Sequence, residues 1–252
     1  MRGKKAYIIG VAAVILVFGI WVIREFKIRY QEDRILNPDK VSGLKKAPKS
    51  ETKDSNTAEV DYVVINDEKA RAPQFSFVNQ NKDTITEQDY KGKVYLVEFF
   101  YTSCPTICPV MNENLVEIAK EFKDNEEFGI ASFTIDPEHD TSEVLKEYAE
   151  RHEITHPNWN FLTGDQNDIY DLAEQDFKII AQENENEPGG IMHDGMFVLI
   201  DKDGYIRARE DDFGNSIIYY RGYVERDATP ELGEEEPQIN ELIEDIKALL
   251  NE

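Results

Sequence analysis

The stretch KVYLVEFFYTSCPTICPVM, residues 93–111, joins a continuous apolar run to the only two cysteines of the chain. The apolar residues 93–101 predict a central strand that is buried on both faces of a sheet. Cys104 and Cys108 follow this strand directly. Because α/β folds place their chemistry at the carboxyl ends of such strands, the cysteine pair is the first candidate functional site.

Pro109 marks the start of the helix that follows the strand. Proline is favoured at the first helical position and disfavoured in the interior, so we expect Cys108 at the helix N-cap and Cys104 on the preceding loop. The unpaired N–H groups and the helix dipole at this end lower the pKa of a thiol. The resulting thiolate is the form that attacks disulfides and binds metals.

Strand and helix patterns alternate through the rest of the folded region. Strands are expected at FGIASFTID (128–136) and WNFLTG (159–164), and hairpins at QFSFVNQNKDTITE (74–87) and MFVLIDKDGYIRARE (196–210). Helices are expected at SEVLKEYAERHE (142–153), QNDIYDLAEQDF (166–177) and INELIEDIKALL (239–250). Asp140 and Glu143 look like a capping box for the first of these helices. The order of elements predicts an α/β, thioredoxin-like three-layer sandwich.

The N-terminus carries an apolar segment, AYIIGVAAVILVFGIWVI, over residues 6–23. It has no charged residue and is long enough for a membrane span. A signal peptide would have a shorter apolar region and a small-x-small cleavage site, which does not follow here. We therefore predict a transmembrane anchor in residues 1–30, a flexible polar tether in 31–70 and a folded domain in 71–252. Basic residues on both sides of the span leave its orientation open.

Charge is unevenly distributed along the chain. Residues 1–50 carry 11 Lys and Arg against 4 Asp and Glu, whereas residues 51–252 carry 17 against 47. So acidic a domain repels the phosphates of nucleic acid, and no nucleic-acid partner is expected. Acidity of this kind either keeps the domain soluble or attracts basic partners and cations.

The cysteine pair alone fits four kinds of site. A structural disulfide would close a very short loop and constrain the unfolded chain only slightly. A closed zinc site needs four ligands, which two cysteines and a few scattered histidines supply poorly. Two interpretations stay open: a dithiol–disulfide redox couple, although thioredoxin-type motifs have two intervening residues and this one has three, and a copper site, because thiolates are soft ligands.

Of the four histidines, His193 is the candidate ligand. It lies in PGGIMHDGMFVLID, after a Gly-Gly pair and just before a buried strand. In a thioredoxin-like fold, the loop that enters this strand faces the cysteines across the site. The alternative is a loop histidine without a role. His139 lies beside a helix start and His152 in a charged helix, so both are expected to be solvated, and His156 precedes Pro157 in a connecting segment.

The segments FFYTSCPTICPVM, FTIDPEHDT, WNFLTG and HDGMFVLIDKDG resemble the Sco/SenC family in order and spacing, over about residues 72–250. The resemblance implies a membrane-tethered thioredoxin-like domain on the extracytoplasmic side that binds one copper ion, as Cu(I) or Cu(II). Carried over residue by residue, it implies Cys104, Cys108 and His193 as copper ligands. It also implies that Asp136, from the DPEHDT stretch, lies near the site without being a ligand.

The same resemblance implies a metallochaperone, rather than an enzyme, that delivers copper to the CuA centre of cytochrome c oxidase. Expected partners are the cytoplasmic membrane, which the chain crosses once with its domain on the periplasmic side, a CuA-bearing subunit or another cuproprotein, and a thiol–disulfide reductant. A thiol–disulfide reductase that keeps the CuA cysteines reduced and a redox or copper sensor stay open as alternatives. The acidic inserts 183–190 and 225–238 depart from the family pattern.

Overall fold

The computed structural model describes residues 60–184, 186–211, 215–231 and 234–252. The predicted anchor in residues 1–30, and the tether as far as residue 59, lie outside the described residues. Within the described part of the chain, no helix has both the length and the apolar character needed to cross a membrane. The anchor therefore stays a prediction from the sequence.

The described chain contains short and long strands that alternate with four α-helices. The strands are β1 (Val60–Tyr62), β2 (Val64–Ile65), β3 (Glu68–Lys69), β4 (Ser76–Asn79), β5 (Thr84–Thr86), β6 (Val94–Phe100), β7 (Phe128–Thr134), β8 (Trp159–Thr163), β9 (Ala181–Glu183), β10 (Ile191–His193), β11 (Met196–Ile200), β12 (Ile206–Glu210), β13 (Ser216–Ile217) and β14 (Tyr219–Arg221). The helices are α1 (Cys108–Glu121), α2 (Ser142–Arg151), α3 (Gln166–Asp171) and α4 (Ile239–Leu250), with a 3₁₀ turn at Glu87–Tyr90 and a π-helical turn at Leu172–Phe177.

A mixed sheet organises the domain. Its strands lie in the order β1–β12–β11–β6–β7–β8–β4–β5, while β13 pairs with β12 and β14 pairs with β11. Strands β6, β7 and β8 are parallel, and their neighbours on both sides are antiparallel. The strands β9 and β10 form a separate two-stranded hairpin. This topology confirms the predicted α/β class.

The centre of the sheet is buried on both faces. Every residue of β6 and β7 is buried, as the continuous apolar runs predicted. Val97 of β6 lies between Ala131 of β7 and Val198 of β11. The removal of these side chains from water is the main stabilising contribution at the centre of the sheet. It also fixes where the carboxyl end of β6, and hence the loop carrying Cys104, must lie.

Most predicted elements are confirmed. The two expected hairpins are the pairs β4–β5 and β11–β12. Gly204 in the second turn has a φ of +81°, a left-handed conformation that favours glycine. The expected helices appear as α2, α3 and α4, and the strands at 128–136 and 159–164 appear as β7 and β8.

Two predicted boundaries differ from the structure. The sheet begins at Val60 rather than at residue 71, because β1 pairs with β12 and buries Val60 and Val63. Short segments with only two apolar residues gave too little periodicity to be recognised in the sequence. Helix α1 begins at Cys108 itself, so Ile107 is the N-cap and Pro109 is the second helical residue.

Glu98 is a charged residue at the centre of this apolar strand. Its side chain is buried and accepts a hydrogen bond of 2.5 Å from the hydroxyl of Ser132, which itself accepts one from the indole of Trp159. Burial raises the pKa of Glu98 from 4.5 to about 7, although the bond from Ser132 opposes this effect. The folded protein therefore holds this proton more tightly than the unfolded chain does.

The raised pKa of Glu98 predicts a specific dependence of stability on pH. As the pH rises from about 4.5 to about 7, Glu98 ionises in the unfolded chain but stays protonated in the folded protein. Stability that is present at low pH is therefore lost over this range. Each pKa unit between the folded and unfolded states corresponds to roughly 1.4 kcal/mol. The shift of Glu98 therefore lowers the free energy of unfolding by about 3 kcal/mol across this range. Glu98→Gln, which imitates the neutral acid, should gain stability relative to the wild type by up to this amount between pH 5 and pH 8.

Denaturant unfolding of the reduced, metal-free chain at both pH values measures the difference. The control is Glu147→Gln, because Glu147 is exposed on α2. A Glu98→Gln variant whose stability relative to the wild type is the same at pH 5 and pH 8 would contradict the raised pKa.

Candidate metal centre

Three elements bring the predicted ligands together at the carboxyl end of β6. Cys104 lies on the loop after β6, Cys108 is the first residue of α1, and His193 is the last residue of β10. The sequence placed His193 on a loop, whereas the structure pairs it with Ala181 across the β9–β10 hairpin. Both cysteines are buried and His193 is half-buried.

The donor atoms of these residues are close enough to share one ion. The Nε2 atom of His193 lies 3.4 Å from the Sγ atom of Cys108 and 3.7 Å from that of Cys104. All three donor atoms lie within 4.8 Å of one another. Within the residues that the structure describes, no other place brings ligand atoms of three or more Cys, His, Asp or Glu side chains together in this way.

The two thiols have opposite acid–base properties. A hydrogen bond from Cys108, aided by one from His193, lowers the pKa of Cys104 far below its usual value despite partial burial. Burial, followed by the bond to Cys104, raises the pKa of Cys108. The pair therefore holds one thiolate, at Cys104, with the Cys108 S–H donating to it. The hydroxyl of Thr106 lies 3.5 Å from the same Cys104 sulfur.

This arrangement permits two kinds of chemistry. Two sulfurs and one imidazole are soft to intermediate ligands, and such a set can hold a copper ion. The other ring nitrogen of His193, Nδ1, is buried and has no hydrogen-bond partner among the described residues. The two cysteines are not joined by a disulfide in the structure. Two neighbouring thiols with different pKa values can also carry out disulfide exchange.

The other three histidines lie elsewhere and have protein partners. The expectation that His152 is exposed was wrong: it is half-buried, because its ring packs on Tyr148. His152 shares a hydrogen bond of 2.9 Å with Asn112, and His156 lies 3.3 Å from the carbonyl of Phe122. His139, on the DPEHDT loop, contacts Asp140 at 2.9 Å. None of the three belongs to the group formed by the cysteines and His193.

The DPEHDT loop carries Asp136, which the family resemblance predicts to lie near the metal without being a ligand. Asp136 is half-buried and is not a member of the three-residue donor group. Burial, with repulsion from Asp140, raises the pKa of Asp136 above its usual value. Its predicted place beside the bound metal stays a prediction.

Asp140 is the residue that ties this loop to the cysteines. Its fully buried carboxylate accepts hydrogen bonds from the Thr102 amide at 2.9 Å, from the Thr102 hydroxyl, and from the Thr134 hydroxyl at 2.6 Å. Thr102 precedes Cys104 by two residues, so these bonds hold the start of the cysteine loop against the end of β7.

The sequence predicted a helix-capping role for Asp140, and this was wrong. Thr141 is the N-cap of α2, and its side chain accepts from the Val144 amide. The carboxylate of Asp140 instead accepts hydrogen bonds from Thr102 and Thr134 in the interior. A buried carboxylate needs several donors, and the sequence alone does not show that both threonines face it.

Comparisons with known proteins agree with this fold. The SCO1/SenC family model matches residues 64–219. The SCO1 protein homolog of Bacillus subtilis is 36% identical over 134 residues, which are 52% of this chain and 69% of that protein. Fold and site together define a thioredoxin-like α/β protein with a Cys-Cys-His group.

Two solved structures share this architecture. A SCO1/SenC family lipoprotein from Bacillus anthracis superposes with a TM-score of 0.58 at 29% identity, covering 71% of this chain and 95% of its own. BsSco, described with a disulfide switch and as a member of the Sco family of cytochrome c oxidase assembly proteins, superposes with a TM-score of 0.56 at 29% identity, covering 72% of this chain and 94% of its own. The chain belongs to the SCO1/SenC family.

The contacts of Asp140 predict the effect of its substitution. In Asp140→Asn, an NH₂ group replaces one acceptor oxygen, so a buried donor of Thr102 or Thr134 loses its acceptor. We expect a loss of about 1–3 kcal/mol in unfolding free energy and faster hydrogen exchange at the Thr102 amide. Denaturant unfolding and amide exchange of the reduced, metal-free chain measure both effects.

Asp136→Asn is the matched control, because it makes the same chemical change on the same loop. It should leave exchange at the Thr102 amide close to that of the wild type. If both variants accelerate this exchange equally, Asp140 has no special role in holding the cysteine loop.

Proposed function

We propose that this protein is a membrane-tethered copper metallochaperone that delivers copper to the CuA centre of cytochrome c oxidase. The observation that carries the proposal is the meeting of two buried sulfurs and one imidazole at the end of β6. Membership of the SCO1/SenC family supports it, as does the description of BsSco as one of the cytochrome c oxidase assembly proteins.

Each side chain has a part in holding and releasing the cargo. Cys104 supplies a thiolate already formed, and Cys108 supplies a second sulfur once it gives up its proton. His193 supplies a neutral nitrogen from an element that is separate from the main sheet. Copper bound by so few ligands leaves room for a thiolate of the target protein, so transfer proceeds by exchange of ligands without a change in redox state.

Attachment to the membrane belongs to the same proposal. Residues 1–30 would anchor the chain in the cytoplasmic membrane, and the polar residues that follow would tether the folded domain on the periplasmic side. The lipoprotein from Bacillus anthracis is a relative whose description also implies attachment to a membrane. Oxidase subunits and a thiol–disulfide reductant are the partners expected there.

A thiol–disulfide reductase is the second candidate, favoured by the unequal pKa values of the two thiols and by the disulfide switch of BsSco. The Cys104 thiolate would attack a sulfur of a partner disulfide and release one partner thiolate. Cys108 would then attack the mixed disulfide, releasing the second partner thiol and forming a Cys104–Cys108 disulfide. Two electrons pass to the partner, and an external dithiol reductant must restore the pair. A redox or copper sensor would use the same interconversion as its signal.

Copper binding by the full chain tests the first candidate. The wild type should bind one copper ion, and His193→Ala should lose affinity by more than the roughly 10- to 100-fold typical of residues that only support a ligand. His152→Ala is the matched control, because His152 is a half-buried histidine that bonds to Asn112 and does not belong to the Cys-Cys-His group. Equal copper affinity in wild type and His193→Ala would exclude His193 as a ligand.

The reductase candidate makes a different prediction. The reduced, metal-free chain should open a peptide disulfide and accumulate its own Cys104–Cys108 disulfide, which mass spectrometry detects. His193→Ala should keep this reaction, because disulfide exchange needs only the two thiols, whereas Cys108→Ser should stop at the mixed disulfide. No reaction with the wild type in excess over the peptide would remove this candidate.

A further inference from the structure

His193 lacks the second hydrogen bond that usually orients a metal-binding histidine. Such a ring normally donates its other N–H to a carboxylate or carbonyl, which fixes its orientation. Here Nε2 faces the two sulfurs, and the buried Nδ1 has no hydrogen-bond partner among the described residues. The orientation of the ring therefore depends on the position of the hairpin that carries it and on the side chains packed against it.

The hairpin cannot hold this position by itself. The β9–β10 pair has three residue pairs and makes no ladder with the main sheet in the described chain. Two-stranded hairpins of this size are marginally stable in water unless they pack on something else. Contacts between the hairpin and the rest of the domain must therefore determine where His193 lies.

Tyr101 makes such a contact from the main sheet. It is the first residue after β6 and is buried. Its ring packs edge-to-face on the His193 ring, with centroids 5.6 Å apart and planes at 70°. Its hydroxyl donates to the Pro188 carbonyl at 3.2 Å, with the Ile191 carbonyl 3.5 Å away. One side chain therefore contacts both the ligand and the hairpin loop.

Gly189 allows the hairpin loop to approach this tyrosine. The residue has a φ of +92°, and a Cβ built on it would lie less than 3.0 Å from the Tyr101 hydroxyl oxygen. Gly190 has a similar φ of +81°, but a Cβ there would meet nothing within 4 Å. Both glycines thus have a left-handed conformation that favours glycine. Only at Gly189 does the close contact with Tyr101 also leave no room for a side chain.

We propose that Tyr101 is a positioning residue for copper binding: its ring and hydroxyl hold the hairpin so that His193 faces Cys104 and Cys108. This inference rests on the proposed copper-binding function. Tyr101 is not one of the three donor residues; it acts by holding the hairpin, while its hydroxyl also interacts with Cys104.

Tyr101→Phe tests the hydroxyl alone, because the ring that packs on His193 is kept. Amide hydrogen exchange of the reduced, metal-free full chain should become about 2- to 10-fold faster across residues 181–193, the range expected for one hydrogen bond. Tyr90→Phe is the matched control, since the buried Tyr90 hydroxyl also donates to a backbone carbonyl, that of Ile130 in the main sheet at 2.9 Å. It should leave exchange in the hairpin unchanged.

The glycine pair gives an independent test. Gly189→Ala and Gly190→Ala both put alanine into a left-handed conformation, so their shared strain cancels in the comparison. Gly189→Ala should weaken copper binding and speed hairpin exchange more than Gly190→Ala does. Adding Tyr101→Phe to Gly189→Ala should restore part of the loss, because the clashing oxygen is gone.

Copper binding by the same variants tests whether the contact of Tyr101 with the hairpin affects the Cys-Cys-His group. Tyr101→Phe should weaken copper binding about 2- to 10-fold and change the nitrogen hyperfine signal of Cu(II), while Tyr90→Phe changes neither. Unchanged hairpin exchange in Tyr101→Phe would overturn the positioning role, whatever copper does. Faster exchange with unchanged copper affinity and spectrum would also overturn it, while leaving the His193→Ala measurement to decide the proposed function separately.

Discussion

The burial of β6 on both faces is the constraint on which the rest of this structure depends. Each of its residues is enclosed by neighbouring strands and covering side chains, so the strand cannot shift without exposing apolar surface on both sides. Its carboxyl end is therefore a fixed point. The cysteine loop leaves from this point, α1 begins four residues after Cys104, and Tyr101 stands between the strand and the hairpin of His193. The predicted metal ligands are held by a rigid strand on one side and by a small hairpin on the other.

This difference in support fits the proposed function of a copper carrier. The two sulfurs lie beside each other because the loop is tied down by Asp140 and the helix begins at Cys108. The imidazole comes from a two-stranded hairpin that makes no ladder with the main sheet in the described part of the chain. A carrier needs ligands that bind the metal firmly and still allow a partner to displace one of them. A fully enclosed four-ligand site would favour permanent structural binding instead.

The sequence predicted the features that depend on long apolar runs and on punctuating residues. The run 93–101 indicated the central strand, the Asp-Gly turn indicated the β11–β12 hairpin, and Pro109 located the start of α1 to within one residue. The position of His193 after a Gly-Gly pair and before a buried strand made it the candidate ligand, and the resemblance to a known family strengthened that prediction. The short strands β9, β10 and β14 escaped detection, since two or three residues carry no measurable periodicity.

Features that depend on tertiary contacts could not be predicted in the same way. Asp140 has the sequence context of a helix cap. Only the fold shows that its carboxylate accepts hydrogen bonds from Thr102 and Thr134 instead. In the sequence, Glu98 is an unexplained acidic residue in a buried strand, and only the structure shows that the Ser132 hydroxyl donates a hydrogen bond to it. Tyr101 resembles any aromatic residue at a strand end, and its contact with the hairpin joins residues far apart in the chain.

X-ray absorption spectroscopy of the copper-loaded chain tests the central claim most directly, because it counts the atoms bound to the metal. The convergence of Cys104, Cys108 and His193 predicts two sulfur neighbours and one imidazole nitrogen. Two sulfurs without an imidazole would contradict the role given to His193. A shell of oxygen and nitrogen atoms without sulfur would contradict the site altogether.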